Sequence, residues 1–390
     1  MPDAATSDPV LSADEARARL IRRRDFVACK VAFIDCKTPG SHLKENYSMI
    51  GPGVTTNPDQ VVNIREPHGF NIGAAAMPNG ITNNLHVHFT AEVFMVFDGD
   101  YRFRWGPKGG HGEWVGHDGD ILSVPTWIFR GFTNVGPDSG MVFTVLGGDD
   151  TGGIIWDPDI LRGAAQYGLH LRRDGVLVDT TTGARKPDDA ELIQPISEED
   201  AARFQHWTPE RMLAERVAPH AARAFADAAL LDSILPGHGS AMARAIGWGI
   251  SEARDGFPPI AAPHGFSLEW LRVDPGAAVG PFRIAERMVL LNRSPGVEVT
   301  LNRGAAGVPL AMDRRDILSV PGGVWRTIRN TADAPADLLV VCHGDQRKRI
   351  EWDEAVAESA RKADRGRDQD GWIAPAHLLP ERSALLKASA

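Results

Sequence analysis

The stretch Asn79–Asp100, "NGITNNLHVHFTAEVFMVFDGD", decides the fold. It places His86 and His88 two residues apart and Glu92 four residues further on. Residues two apart in a strand point to the same face, so both imidazoles can face one interior. A straight strand would leave Glu92 roughly 13 Å from His88, which is too far for a metal whose ligand bonds are about 2.0–2.2 Å. We therefore expect the chain to turn at residues 89–91 and to return Glu92 on the neighbouring strand beside the imidazoles.

The surrounding chain is an internal repeat. "PHGF" occurs at Pro67 and at Pro263, and "DILSVP" follows Gly119 and Arg315, so the offset is 196 residues in both cases. Within each copy, short runs rich in Val, Ile and Phe are separated by turns of Gly, Asp, Asn and Pro, a pattern typical of β-strands. Many short strands at even spacing predict a barrel or jelly roll in each half of the chain.

Two motifs of the first copy resemble those of the cupin superfamily. Gly80-x5-His86-x-His88-x3-Glu92-x6-Gly99 is similar to the complete first cupin motif. The resemblance implies that the chain is a bicupin, a mainly β protein of two double-stranded β-helix (jelly-roll) barrels with a helical connector and flanking helices. Each barrel would carry its ligands at its mouth.

The second cupin motif is matched in part. Gly119, Pro125 and Asn134 keep the spacing Gly-x5-Pro-x-Gly-x2-His-x3-Asn, but Trp127 stands where glycine is usual and Arg130 stands where the family has its last histidine ligand. Arginine stays protonated and offers no lone pair, so Arg130 is not a ligand. The departure leaves two histidines and one carboxylate in the first copy.

The repeat and the helix signals predict a domain order. Ser12, Ser197 and Thr208 are predicted N-caps of helices. The predicted segments are an N-terminal helix with lead-in strands (1–40), a metal-binding cupin barrel (41–150), a mostly helical connector (151–245), a degenerate metal-free cupin barrel (246–350), and a C-terminal helix and tail (351–390).

His86, His88 and Glu92 are the predicted ligands of one divalent metal ion per chain. Two histidines and one carboxylate leave coordination positions open, as in non-heme Fe(II) oxygenases. Fe(II) is favoured, and Mn, Ni and Zn suit the same ligands. A further ligand from His68, His111 or His117 stays open, with His68 the weakest because the metal-free copy repeats it as His264.

The second copy has lost the ligands. At the offset of 196, Phe282, Ile284 and Met288 stand where His86, His88 and Glu92 stand in the first copy. The second barrel is therefore expected to serve packing or assembly. Arg326 nevertheless keeps the place of Arg130.

Three further residues are candidates for substrate binding: Arg130, Trp127 and Tyr101. Arg130 either clamps a substrate carboxylate, which would give it a catalytic role, or pairs with a buried carboxylate. Trp127 either shapes a pocket for a flat substrate or packs on the connector. Tyr101 shares one face of its strand with Phe103, and only one face of that strand can line the barrel.

The favoured function is a mononuclear non-heme Fe(II) dioxygenase, an oxidoreductase acting on O₂ and a small organic acid or phenolic substrate that is anionic or aromatic. The layout resembles gentisate-type ring-cleaving dioxygenases. Two alternatives stay open: a redox-neutral metal-dependent lyase, isomerase or decarboxylase, and a non-catalytic small-molecule-binding cupin.

Composition limits the partners. A formal net charge of −9 argues against nucleic acid or an anionic membrane surface as partner. Three cysteines, and no signal peptide or apolar run of membrane-spanning length, predict a cytoplasmic protein with reduced thiols. A homo-oligomer, dimer or tetramer, is expected.

Overall fold

The fold is described by a computed structural model that covers residues 8–380, so the ends of the predicted N-terminal segment and of the C-terminal tail lie outside the described chain. Its helices are short. They are α1 (Ala13–Ala18), α2 (Pro158–Ala165), α3 (Glu198–Ala201), α4 (Pro209–Arg216) and α5 (Glu354–Lys362).

β-strands form most of the regular structure. The N-terminal segment contributes β1 (Leu20–Ile21), which pairs with β22 (Ile317–Val320) of the second copy. The first copy and the connector contain β2 (Glu45–Ile50), β3 (Val62–Ile64), β4 (Phe70–Met77), β5 (Thr82–His88), β6 (Glu92–Asp98), β7 (Tyr101–Trp105), β8 (Gly112–Gly116), β9 (Ile121–Val124), β10 (Arg130–Asn134), β11 (Gly140–Gly147), β12 (Ile154–Trp156), β13 (Leu169–Leu171), β14 (Leu177–Asp179) and β15 (Val217–Ala218).

The second copy continues with β16 (Ser240–Ile246), β17 (Phe266–Val273), β18 (Ala278–Arg283), β19 (Met288–Asn292), β20 (Val297–Leu301), β21 (Val308–Met312), β22 (Ile317–Val320), β23 (Arg326–Asn330), β24 (Ala336–His343), β25 (Glu351–Trp352), β26 (Arg365–Arg367) and β27 (Ile373–Pro375).

The chain divides into two compact units, each of which contains one barrel. One unit comprises residues 25–223 and 259–266, and the other comprises the rest of the described chain. The first barrel has a five-stranded sheet in the order β12-β5-β10-β7-β8 and a seven-stranded sheet in the order β15-β9-β6-β11-β4-β2-β3. Buried apolar side chains from both sheets, such as Phe94 on β6 and Phe132 on β10, share one core.

The second barrel repeats this topology. Its five-stranded sheet runs β25-β18-β23-β20-β21, and its six-stranded sheet contains β22-β19-β24-β17-β16 in succession. The pairing register repeats as well: Arg130 lies opposite His86 in the first barrel, and Arg326 lies opposite Phe282 in the second. The sequence repeat is therefore a duplication of the barrel. His86 and Arg130 of the first barrel correspond to Phe282 and Arg326 of the second, at the offset of 196 residues.

Local sequence explains the elements that surround the site. On β7 the aromatic residues are buried and the arginines between them are only partly buried, as alternation along a strand requires. Gly99 has φ +84° and Gly119 has φ +88°, a left-handed conformation that glycine adopts without steric cost. Gly99 thus lies in the turn between β6 and β7, and Gly119 in the turn between β8 and β9.

The predicted helix starts are correct. Ser12 and Glu15 form a complete capping box at α1, Ser197 caps α3, and Thr208 caps α4 with Pro209 at its first position.

The stretch from 151 to 245, expected to be mostly helical, contains only α2, α3 and α4 as helices, with short strands and irregular chain between them. Proline, glycine and polar residues are frequent between α2 and α3, which limits helix length there. Nor does its last part act as a connector: β16 is a strand of the second barrel.

The sequence contains no apolar run of membrane-spanning length and is expected to have reduced cysteines. Within residues 8–380, no helix combines the length and the apolar character of a membrane span. The three cysteines are buried and form no disulfide.

Candidate metal centre

The two histidines and the glutamate lie on strands of different sheets. His86 and His88 are on β5, the chain turns at residues 89–91, and Glu92 begins β6. The turn is where the sequence predicts it, but β6 is not the hydrogen-bonded neighbour of β5. It belongs to the seven-stranded sheet, and because the two sheets share one interior, Glu92 reaches the imidazoles across that interior.

The ligand atoms of these three residues converge. One ligand atom from each of His86, His88 and Glu92 lies within 4.8 Å of the other two. The Nε2 atoms of the two imidazoles are 3.0 Å apart, and His88 Nε2 is 3.5 Å from Glu92 Oε2. All three side chains are buried.

These separations suit one divalent ion. Two ligands on bonds of about 2.1 Å are about 3.0 Å apart at a right angle and about 3.4 Å apart at a tetrahedral angle. The observed 3.0 and 3.5 Å match these values. His86 Nδ1 lies 2.6 Å from the carbonyl oxygen of Asn84, so Nδ1 carries the proton and Nε2 keeps its lone pair for an ion.

Burial keeps both imidazoles neutral. It lowers the pKa of His86 to about 3, and the Arg130 guanidinium lowers it further while the Asn84 carbonyl opposes the shift. Burial likewise lowers the pKa of His88 well below its ordinary value. Neutral imidazole is the form that binds a metal, so the donor set fits a divalent cation.

Glu92 contacts Arg130 as well as His88. Arg130 Nη1 lies 3.4 Å from Glu92 Oε2, and Nη2 donates to the carbonyl oxygen of Pro125 at 2.5 Å. Burial raises the pKa of Glu92 to about 7, against the lowering by the guanidinium. Burial lowers the pKa of Arg130 to about 10, so the guanidinium remains a cation near neutral pH. It is 1 % exposed.

Arg326 shows what the second barrel does with the same residue. Its Nη2 donates to the carbonyl oxygens of Pro321 at 3.3 Å and Val324 at 2.6 Å, and its Nη1 lies 3.6 Å from Met288 Sδ. The contact with the proline carbonyl is thus common to both barrels, whereas the contact with a carboxylate at the ligand position is confined to Arg130.

A buried ion pair supports the strand of His86, and sequence reasoning missed it. Lys44 Nζ lies 2.8 Å from Asp35 Oδ1 and donates to Asn83 Oδ1 at 2.5 Å. Asn84, whose carbonyl holds His86, donates its side-chain amide to Asp35 at 3.2 Å. The signal in the sequence is the asparagine pair that precedes "LHVH", since amides on a strand that enters a barrel core need hydrogen-bond partners.

The three ligand residues line a small cavity in the first barrel. The cavity has a volume of about 70 Å³, room for roughly five waters. Other lining side chains are polar, among them Asn46, Ser48, Gln60, Asn83 and Thr144, or apolar, among them Phe33, Ile72, Phe94, Phe132 and Leu146. Within residues 8–380, no lysine or arginine lines it.

Comparison of the sequence with models of known families and with curated proteins gives no match. Solved structures do match. Oxalate decarboxylase from Lactobacillus farciminis in a formate complex is 12% identical, with a TM-score of 0.54 over 93% of this chain and 96% of that one. A variant of Bacillus subtilis oxalate decarboxylase is 11% identical, with a TM-score of 0.51 over 86% and 79%. Vicilin from hazelnut (Corylus avellana) is 9% identical, with a TM-score of 0.50 over 86% and 88%.

The chain folds as a bicupin. The predicted two-barrel fold is confirmed, because matches over most of both chains accompany the repeated strand order. The expected likeness to gentisate-type dioxygenases is not among these findings and stays a prediction.

The bicupin does not bring Trp127 or Tyr101 to the cavity. Tyr101 is fully buried beside Phe132 in the apolar core, because strand alternation turns it inward at the end of β7 away from the ligands' cavity. Trp127 is 45% exposed and packs between Phe89 of the ligand turn and Phe204 of the connector, at ring distances of 5.0 and 5.6 Å. Arg130 is not among the lining residues either.

None of the three additional histidines joins the ligands. His68 Nδ1 lies 2.6 Å from the carbonyl oxygen of Glu66, His111 lies against His206, and the exposed His117 pairs with Asp100 at 2.7 Å. Within residues 8–380, the cluster of metal-ligating side chains in the bicupin has three members.

Proposed function

We propose that the first barrel binds one divalent metal ion through His86, His88 and Glu92, and that the protein is a metal-dependent enzyme acting on a small organic acid by redox-neutral chemistry, with decarboxylation as the favoured reaction. The observation that carries the proposal is the convergence of three ligand atoms on the wall of a cavity in the first barrel. A ligand set alone is compatible with a structural ion, but an adjoining cavity gives a substrate a place beside the open coordination positions.

The cavity lining supports the choice of substrate class. With no lysine or arginine along the lining of the described chain, the negative charge of an acid has to be balanced by the bound cation. A bound divalent ion supplies Lewis-acid chemistry, which polarises a carboxylate oxygen and orients it. A cavity of about 70 Å³ limits the acid to a few carbon atoms.

The chain's own residues contribute position and exclusion of water. Asn84 fixes the tautomer of His86, and the Arg130 guanidinium holds Glu92. Apolar side chains such as Phe94 and Leu146 form part of the cavity wall and limit the access of water there. In a site that excludes water, fixed charges act more strongly than they do in solvent.

The reaction class is supported by the fold relatives. The structures that match include oxalate decarboxylases, and the Bacillus subtilis enzyme is described with Mn(II) centres. Mn(II) is therefore the first ion to test here. At 12% identity the likeness carries the fold alone. Metal binding is therefore argued from the ligand set and the cavity, and only the preference for decarboxylation comes from these relatives. The open coordination positions also favour a second candidate, the Fe(II) dioxygenase predicted from the sequence.

One experiment separates these functions. The protein is reconstituted anaerobically with Mn(II) or Fe(II) and offered oxalate, malonate, glycolate and gentisate, while CO₂ and O₂ are followed together. Release of CO₂ without net O₂ consumption is expected. Consumption of one O₂ per substrate would instead support the dioxygenase, and metal uptake with ligand binding but no turnover would support a binding protein.

A further inference from the structure

The cavity of the first barrel contains a buried acceptor that the metal site does not use. Two polar side-chain atoms of its lining are buried and have no hydrogen-bond partner within residues 8–380, namely His88 Nδ1 and Gln60 Oε1. The first belongs to the ligand cluster. The second lies on the loop that precedes β3, and Gln60 is 5% exposed. An unpaired buried acceptor is unfavourable, so a ligand that supplies a donor would be favoured here.

The orientation of the Gln60 amide is set by its neighbour. Ser48 Oγ donates to the carbonyl oxygen of Pro52 at 3.3 Å, which commits its proton. The Ser48 oxygen then accepts from Gln60 Nε2 at 2.7 Å. Because the amide nitrogen is taken by Ser48, the amide oxygen is the atom left for the cavity.

Glu92 lies on the seven-stranded sheet, and a row of paired residues on this sheet leads from its strand toward Gln60. Glu92 and Phe94 share a face of β6, and Phe94 lies opposite Thr144 on β11. Thr144 lies opposite Gly73 on β4, and Gly73 lies opposite Ser48 on β2. Residues paired in this way point to the same face of the sheet. The row therefore leads from the metal ligand to the serine that holds the Gln60 amide.

The middle of that row is kept open by a glycine. A Cβ on Gly73 would lie 3.0 Å from the carbonyl oxygen of Tyr47 and 3.1 Å from Thr144 Oγ1. Both contacts are tighter than side chains normally make. Gly73 lines the same cavity as Glu92 and Gln60, so one cavity adjoins both the ligand cluster and the Gln60 side chain.

We infer that Gln60 is a specificity-determining residue that selects small acids with a hydrogen-bond donor, such as a hydroxyl group, at the end away from the metal. The inference rests on the proposed function only in placing the carboxylate of the bound acid at the metal. The donor end rests on the Ser48–Gln60 contact and on the unpaired Oε1. Acids without a donor leave Oε1 unpaired and bind more weakly.

The test uses matched pairs of acids: glycolate with acetate, 3-hydroxypropionate with propionate, and 4-hydroxybutyrate with butyrate. Their dissociation constants are measured by calorimetry on metal-reconstituted protein and on metal-free protein. At least one hydroxy acid should bind about tenfold more tightly than its parent, and the preferred length measures the span between the metal and Gln60. If no pair is discriminated, or if no acid binds in either form, the inference is wrong.

Variants locate the effect. Gln60→Leu should abolish the discrimination, and Gln166→Leu at an exposed position is the matched control. Ser48→Ala should weaken it, because the amide loses the contact that orients it; this variant serves if Gln60→Leu does not fold. Discrimination that persists in Gln60→Leu overturns the inference. Wild-type protein that takes up no metal yet still prefers a hydroxy acid would refute the proposed metal site and leave the role of Gln60 standing.

Discussion

Arg130 separates a structural role from a substrate-binding role. Its guanidinium contacts Glu92 and the Pro125 carbonyl, it is 1 % exposed, and it does not line the cavity. We therefore expect Arg130 to support the ligand carboxylate and not to clamp the substrate. Breaking a buried ion pair by removing one partner costs about 3–5 kcal/mol, because the other charge stays buried and unpaired. Arg130→Ala should lower stability by this amount.

The expected shift is large enough for thermal unfolding to detect. A domain of 150–250 residues loses about 2–4 °C of Tm per kcal/mol, so Arg130→Ala should lower the Tm of its unit by about 6–20 °C. The loss should be smaller in metal-reconstituted protein, because the bound cation compensates the carboxylate of Glu92. Unfolding is followed by differential scanning calorimetry with and without Mn(II).

Arg326→Ala is the matched control. The hydrogen-bond acceptors of Arg326 are carbonyl oxygens and a thioether, so its removal breaks no ion pair of the kind that Arg130 makes, and the effect should not depend on metal. A Tm for Arg130→Ala within 2 °C of wild type would refute the structural role. So would an Arg130→Lys variant that has a raised KM at unchanged Tm, since loss of the bidentate geometry alone would then impair substrate binding.

Two further predictions concern the second barrel. Phe282→Asp places a carboxylate at a position that is 0% exposed. In denaturant titrations it should lower the unfolding free energy by at least about 1.5–3 kcal/mol and leave the metal content per chain unchanged. An unchanged unfolding free energy would contradict the prediction that the second barrel serves packing. Burial raises the pKa of Glu269 to about 7, against the lowering by the Ile250 N–H and by Arg244. The folded state thus binds this proton more tightly, so the contribution is fully present below the ordinary value of 4.5 and is lost as the pH rises through about 7. Glu269→Gln should reduce the fall in unfolding free energy between pH 4.5 and about pH 7. A pH dependence equal to that of wild type would contradict the raised pKa of Glu269.

The convergence of His86, His88 and Glu92 could be predicted from the sequence because much of its geometry is local. The period of two along β5 sets His86 and His88 on one face, and the distance limit of a metal bond requires the turn before Glu92. The second barrel's loss of ligands followed from the repeat alone. Helix starts were equally local, since one capping side chain and its partner three residues later determine them.

The rest depends on packing between distant segments. That Glu92 meets the imidazoles from the opposite sheet follows from the barrel's closure, which no short stretch encodes. Gln60 and Lys44 lie outside both cupin motifs and reach the site through strands paired over long separations. Tyr101 is on the inward face of β7 but lies in the apolar core away from the ligand cluster, because alternation fixes the face of a strand and not the position along the barrel. The lengths of the connector helices also depend on what they pack against.

Metal content per chain tests the proposed centre most directly. Protein reconstituted anaerobically with Mn(II) and freed of excess ion is analysed by mass spectrometry of the metal, beside His86→Ala, His88→Ala and the control His111→Ala. One ion per chain is expected in wild type and in His111→Ala, and none in the two ligand variants. Equal metal in wild type and in the ligand variants, or two ions per wild-type chain, would contradict the assignment of the site to His86, His88 and Glu92.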